Sequence, residues 1–271
     1  MTQAAACDLA THFHRDGYVA PIDLLAREEA ADLRARIDDL MARHGGTPEL
    51  AQWSYYKSHI LFDWVAALAA HPRVLAAVEP LLGPDILLWE SSFFVKQPHS
   101  PAHFGWHQDL TYWYLAPEGV ALTVWVALSE VTVEHGCMQI LPGTHGLGQL
   151  PHEPHDDPAS LLARGQFITA DLPEETAADI TLEAGQGSIH SSLVVHGSRG
   201  NRAATPRVCC LLNFVPARAQ PTRFRYSALP VLGEDRHGHF TADPWPDGSL
   251  SAANLAAYED SLDLFEQRYG T

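Results

Sequence analysis

The chain changes character near residue 85, and that change limits what it can fold into. Upstream, apolar residues recur at helical spacing. Downstream, to about residue 216, short β-prone runs alternate with turn residues. Residues 86–95 are rich in aromatic and branched side chains, the composition of a strand. Over 120–128, Val120, Leu122, Val124, Val126 and Leu128 alternate with Ala121, Thr123, Trp125 and Ala127, which is the period of two that a strand imposes. Further strand signals fall within 134–145 and at 166–169, 179–182, 187–197 and 206–216. Many short strands with helices kept to the ends predict a mainly β fold with flanking helices, a sandwich or jelly roll, and not alternating βαβ units.

The helical expectations are specific. Residues 8–18 read as a short helix ending at Gly17. Over 25–43, Ala26, Ala30, Leu33, Ile37 and Leu40 follow steps of three and four. Residues 60–71 form another helix, and 72–79 one more, stopped by Pro80. A last helix is expected over 251–268, after an irregular stretch at 217–247. With no repeat and no Gly/Ser linker, residues 1–271 are expected to be one domain: a helical N-terminal region over 1–85, a β core of about 86–216, and a C-terminal segment 217–271.

Charge removes some function classes. The 271 residues carry a formal net charge of −16, which argues against a nucleic-acid partner and a polybasic membrane anchor. No apolar run approaches the ~18 residues of a membrane span, and the first residues lack signal-peptide character. Cys209 and Cys210 are adjacent in a strand-like run and should face opposite ways. With only Cys7 and Cys137 besides, this is a poor disulfide framework, and a reducing cytoplasm is expected. Oligomeric state is left open.

Sixteen histidines make chance motifs common, and three H-x-D pairs occur. His14/Asp16 lies on the first helix, where residues two apart do not share a face. His155/Asp157 lies in a Pro-, His- and Asp-rich loop over 146–164. His107/Asp109 lies in a β-prone, aromatic stretch, and on a strand residues two apart point the same way. His196 follows the apolar run Leu193-Val194-Val195 and precedes Gly197-Ser198. Alone it reads as a core histidine bonded to a carbonyl. Beside an H-x-D strand, two histidines and a carboxylate make the facial triad that suits non-haem Fe(II). If the strand at 206–216 pairs with that of His196, Arg207 returns beside it. A buried guanidinium there needs a carboxylate partner. Arg199, Arg202 and Arg218 compete, though Arg199 and Arg202 fall in a turn and should be solvated.

In order, Trp106-His107-Gln108-Asp109, Val124-Trp125-Val126-Ala127-Leu128, Glu134-His135-Gly136-Cys137-Met138, Leu141-Pro142-Gly143-Thr144-His145, and His196-Gly197-Ser198 with Asn201 and Arg207 resemble the phytanoyl-CoA dioxygenase family of Fe(II)/2-oxoglutarate-dependent oxygenases. Phe13-His14-Arg15-Asp16-Gly17-Tyr18 fits the family's opening pattern, so the resemblance covers about residues 9–216. It implies a double-stranded β-helix (jelly roll), with His107, Asp109 and His196 as iron ligands. Arg207 and Ser198 would hold the distal carboxylate of 2-oxoglutarate, and Trp125 would line its pocket. The cofactors implied are Fe(II), with 2-oxoglutarate and O2 as cosubstrates. The reaction implied is hydroxylation with release of succinate and CO2. Two departures from the family pattern are Gly187-Ser188, where Gly-Asp is common, and His135, where Asn is common. Asp109 argues against halogenation, which needs that ligand missing.

Phe104, Trp106, Tyr112, Trp113 and Tyr114 are candidates to line a substrate site, with ordinary barrel packing the competing reading. The acidic charge disfavours a CoA thioester. A small polar metabolite or natural-product intermediate is the expected small-molecule substrate. The alternatives are a cupin-like metalloenzyme using Zn(II) or Mn(II), a metal-binding jelly-roll protein that does not use 2-oxoglutarate, and a binding module without a metal.

Overall fold

The computed structural model describes residues 3–162 and 166–269. The chain opens with α1 (Gln3–Asp16), β1 (Tyr18–Asp23), α2 (Arg27–His44), α3 (Pro48–Tyr55), α4 (Ser58–Leu61), α5 (Asp63–Ala69) and α6 (Pro72–Leu82). The β-rich region runs through β2 (Ile86–Lys96), β3 (Phe104–His107), β4 (Leu115–Ala116), β5 (Leu122–Ala127), β6 (Met138–Ile140), β7 (His152–Pro154), β8 (Gln166–Ile168), β9 (Ala178–Ile180), β10 (Gln186–Ser191), β11 (His196–Ser198) and β12 (Arg207–Pro216). Then come β13 (Gln220–Pro221), β14 (Ser227–Leu232), β15 (Thr241–Ala242) and α7 (Ala252–Tyr269). No single helix among the described residues is long and apolar enough to cross a membrane.

Two sheets form the jelly roll, antiparallel throughout except for the parallel pair β14-β15 at one edge of the larger. The larger has the order β1-β10-β5-β12-β2-β14-β15 and the smaller β3-β11-β6-β9. Strand alternation divides the large sheet's side chains between two environments. On β12, Val208, Cys210, Leu212 and Phe214 join Val124 and Val126 of β5 in one cluster with Ala30, Ile37, Leu61, Val65 and Val78 of the helices. The odd residues of β12, Arg207, Cys209, Leu211 and Asn213, line a cavity on the other face. The helical first third therefore covers an apolar sheet face that water would otherwise meet.

A buried polar network ties this cover to the C-terminal segment. The Lys57 ammonium donates to an Asp243 carboxylate oxygen at 2.6 Å and to the Ser227 carbonyl at 2.8 Å. His59 meets the same carboxylate through Nε2 at 3.1 Å, and its Nδ1 lies 2.8 Å from Ser91 Oγ. Burial works against the Asp243 charge, yet Lys57 and His59 outweigh it and hold this carboxyl well below its ordinary range.

Several expectations need correction. α1 begins at Gln3 and ends before Gly17, whose φ is +81°. α3 and β1 carry weaker signals than their neighbours. β1 is a partly exposed run interrupted by Pro21, a residue tolerated at a sheet edge. Pro80 does not stop α6, which continues to Leu82 and ends at Gly83 with φ +91°. The stretch 217–247 is not wholly irregular, since β14 pairs with β2 despite Pro230. The 146–164 loop contains β7, paired with β8, while positions 163 and 164 lie outside the described residues. His196 starts a strand instead of ending one: β10 stops at Ser191, and 192–195 turn. Nor does Arg207 pair with His196. β11 pairs with β3 and β6, whereas β12 pairs with β2 and β5. Residues 199–206 cross from one sheet to the other, so the two side chains meet across the barrel and not along a hairpin.

Candidate metal centre

His107 ends β3, His196 starts β11, and the two are directly opposed in the antiparallel ladder. Gln108 keeps extended backbone, φ −119° and ψ 132°, before a short 3-10 turn begins at Asp109. The alternation of a strand thus persists one residue past β3 and turns Asp109 to the side of His107. Gln108 points the other way, fully buried. Its amide donates to the carbonyls of Gly148 and Leu193 and accepts from the Leu150 N–H. Those three bonds pin the H-x-D segment.

The Asp109 Oδ1 atom lies 3.6 Å from Nε2 of both His107 and His196. One ligand atom from each residue falls within a 4.8 Å cluster. Each imidazole donates from Nδ1 to a backbone carbonyl, His107 to Gly105 at 2.8 Å and His196 to Val194 at 3.1 Å. That fixes the tautomer and leaves both Nε2 lone pairs free to ligate. The other Asp109 oxygen accepts from Thr123 Oγ1 at 2.9 Å and lies 3.6 Å from His190 Nε2.

Burial, then His107 beside it, push His196 well below the usual imidazole range. Burial also opposes the Asp109 charge, but His196, His107 and His190 hold that carboxyl well below the ordinary carboxylate range. A neutral His196 imidazole beside an ionised Asp109 carboxylate matches the protonation states that a metal requires of its ligands. Two nitrogens and one oxygen, gathered on one side with the cavity on the other, fit a facial triad.

The cavity spans about 1020 Å³ including its mouth. Arg207 reaches it from β12 and is only 3% exposed. Its guanidinium lies 5.6 Å from the Trp125 ring and donates through Nη1 to the Gly136 carbonyl, while Nε has no partner. Lys96, the register partner of Arg207, is also buried. Its ammonium donates to Ser198 Oγ at 2.9 Å and to the Arg199 carbonyl at 2.6 Å. Burial, then the neighbouring Arg207, lower its pKa to about 7. Two cations and a hydroxyl thus gather where an anion would be held.

Phe104, Tyr112, Trp113, Trp125 and Ser198 line this cavity. Trp106 does not. It packs against Leu141, Ile168 and Val195, because a register shift in β3 leaves Phe104 and His107 on one face and Trp106 on the other. Tyr114 packs against Phe224 and Arg223. Of the competing arginines, Arg199, Arg202 and Arg218 are exposed. His14/Asp16 and His155/Asp157 stand apart from the cluster. Asp16 pairs with Arg15, His155 packs on Phe167, and Asp157 faces His103. Both departures from the family pattern are buried: His135 bridges Thr132 and Thr205, and Ser188 lies opposite Trp125.

Lys96, His190 and Thr123 escape sequence reasoning. Lys96 ends an aromatic strand, where a lysine looks like a solvated terminus, and only the register beside Arg207 reveals it. His190 is one of sixteen histidines. Thr123 reaches Asp109 only through folding.

A jelly roll with a His/Asp/His cluster facing a cationic pocket defines the class of non-haem iron oxygenases that use a keto acid. The family model for phytanoyl-CoA dioxygenase matches residues 13–209, and the chain belongs to that family. It is an Fe(II)/2-oxoglutarate-dependent dioxygenase. The chain is 26% identical over 226 residues to the ectoine dioxygenase of Sphingopyxis alaskensis, covering 75% of this chain and 73% of that protein. Among solved structures, the apo form of the non-haem monooxygenase ThoJ is similar with TM-score 0.85 and 32% identity, covering 96% of this chain and 97% of that one. The epimerase SnoN, in complex with Fe3+, alpha ketoglutarate and nogalamycin RO, is similar with TM-score 0.67 and 25% identity, covering 93% and 97%.

Proposed function

We propose that the chain hydroxylates an aliphatic C–H bond of a small polar metabolite or natural-product intermediate, with release of succinate and CO2. In this reading His107, Asp109 and His196 hold Fe(II). Arg207 and Ser198 bind the distal carboxylate of 2-oxoglutarate, and Trp125 walls its pocket. The observation that carries the reading is Arg207: a guanidinium 3% exposed, facing the cavity of the His/Asp/His cluster, with Nε unpartnered. Such a group is costly to bury unless a ligand supplies the negative charge. A planar fork suits a carboxylate, which it can hold by two parallel hydrogen bonds.

Iron with 2-oxoglutarate and O2 supplies the oxidising power needed at an unactivated C–H bond. The protein's own contribution is positional. The Gly105 and Val194 carbonyls orient the two imidazoles, and Thr123 holds one Asp109 oxygen, so that the other faces both imidazole Nε2 atoms and would be the one to ligate. Phe104, Tyr112 and Trp113 are proposed to contact substrate. The four free cysteines support a reducing, cytoplasmic setting.

Anaerobic addition of Fe(II) and 2-oxoglutarate to the metal-free protein tests the cofactor assignment. A weak visible charge-transfer band is expected, and it should vanish in His196→Ala. Metal binding without a band would favour a cupin-like centre that uses no keto acid.

A further inference from the structure

The cavity floor is formed by β12 and β2, and its polarity is graded. Arg207 lies opposite Lys96 at one end, and Asn213 lies opposite Glu90 at the other. Between them stand Cys209 opposite Phe94 and Leu211 opposite Ser92. The two ends are six residue steps apart along β12, about 20 Å between Cα positions.

Glu90 faces the cavity because of a bulge. Phe214 pairs with Leu88 while Asn213 pairs with Glu90, so Trp89 is an extra residue on β2. Before the bulge, Leu87 and Trp89 point inward, into the cluster around Trp113. After it, Glu90, Ser92 and Phe94 line the cavity, while Phe93 faces the helices. An uninterrupted strand would have turned Glu90 into the apolar layer beneath the helices.

Glu90 also belongs to a row that leads to the metal centre. His190 lies opposite Thr123, Thr123 opposite Asn213, and Asn213 opposite Glu90. Thr123 holds Asp109 at 2.9 Å. Glu90 thus stands about two strand spacings, ~10 Å, from the threonine that touches the metal carboxylate. Beside it, the Asn213 Oδ1 atom is buried without a partner, a second acceptor at the same place. Apart from Asp109, Glu90 is the one carboxylate among the described residues that line the cavity.

We propose that Glu90 and Asn213 recognise a positively charged nitrogen on the substrate and so determine specificity. The substrate class is a cation with an apolar or aromatic body: a protonated amine, a quaternary ammonium or a protonated imidazole. Its charged end would rest on Glu90 while its body passes the metal. Tyr112 and Trp113 stand in the wall, and aromatic rings attract such a group. The net charge of −16 draws cations toward the mouth. This inference rests on the oxygenase reading for its chemistry, but its binding step is separable.

The test uses isosteric pairs, choline with 3,3-dimethyl-1-butanol and phenethylamine with 2-phenylethanol, and follows binding by saturation-transfer NMR. The charge-transfer band is recorded in parallel on the same preparations. The cationic member of each pair should bind at least about tenfold more tightly than its neutral partner, through ion pairing and cation–π attraction for choline and a charge-assisted hydrogen bond for phenethylamine. Glu90→Gln should erase that gap, and Asn213→Asp should widen it. Equal binding within each pair, or a gap that survives Glu90→Gln, overturns the proposal even where the band is normal. A missing band beside Glu90-dependent cation binding overturns the cofactor reading alone.

Discussion

Replacing Arg207 with alanine should weaken 2-oxoglutarate binding without weakening the fold. The guanidinium is 3% exposed, stacked 5.6 Å from Trp125, and has an unpartnered Nε. Truncating one side of a buried charge pair costs about 2–5 kcal/mol, or roughly 30- to 5000-fold in dissociation constant. Lys96 remains nearby to attract the carboxylate, which places the expected loss at the lower end, roughly 30- to 300-fold. Anaerobic titration of the Fe(II) protein with 2-oxoglutarate, read at the charge-transfer band, measures it directly. Arg207→Lys should fall between parent and alanine, because a point charge cannot reproduce the planar fork. Thermal melting provides the control: removing a buried cation with no carboxylate partner should leave stability near the parent's or raise it. Binding by Arg207→Ala within about threefold of the parent, well short of that loss, would refute the assignment of the distal carboxylate to Arg207.

Lys96, with a pKa of about 7 in the free protein, should gain a proton as the dianion binds. Affinity should therefore be highest below about pH 7 and fall as pH rises above it, by up to about tenfold per unit. Lys96→Met should flatten that slope in the same titration. Thr123→Val removes the bond that orients Asp109 and should cost about tenfold or more in Fe(II) affinity, measured by competition with a chelator. Asp243→Asn leaves the Lys57 ammonium buried at 2% exposure without its counter-charge. The expected loss is about 3–5 kcal/mol, or roughly 6–20 °C in melting temperature, and Lys57→Met/Asp243→Leu should recover much of it. Because the Asp243 carboxyl is held low in the folded state, its contribution is complete above about pH 4. It is lost as pH falls toward the folded value, so parent and Asp243→Asn should converge in acid.

Local physics made much of this protein legible from its residues. The helix at 25–43 declares itself through steps of three and four, and the strand at 120–128 through strict alternation, because each period exposes one face to the core. The H-x-D segment and the late histidine mark the candidate metal donors, since few residue types bind a divalent ion and their spacing on extended backbone is informative. What depends on register is hidden. Lys96 meets Arg207, and Asn213 meets Glu90, only because β12 lies beside β2. A bulge at Trp89 adds no mark to the sequence, yet it decides that Glu90 faces the cavity. A shift in β3 likewise turns Trp106 away while Phe104 stays. The crossing at 199–206 reads like a hairpin, because a turn sequence does not say which sheet its next strand will join. The sequence by itself determined which chemistry the chain could carry. Strand pairing, a long-range outcome in which a one-residue slip reverses every side chain, decided which residues share the cavity with it.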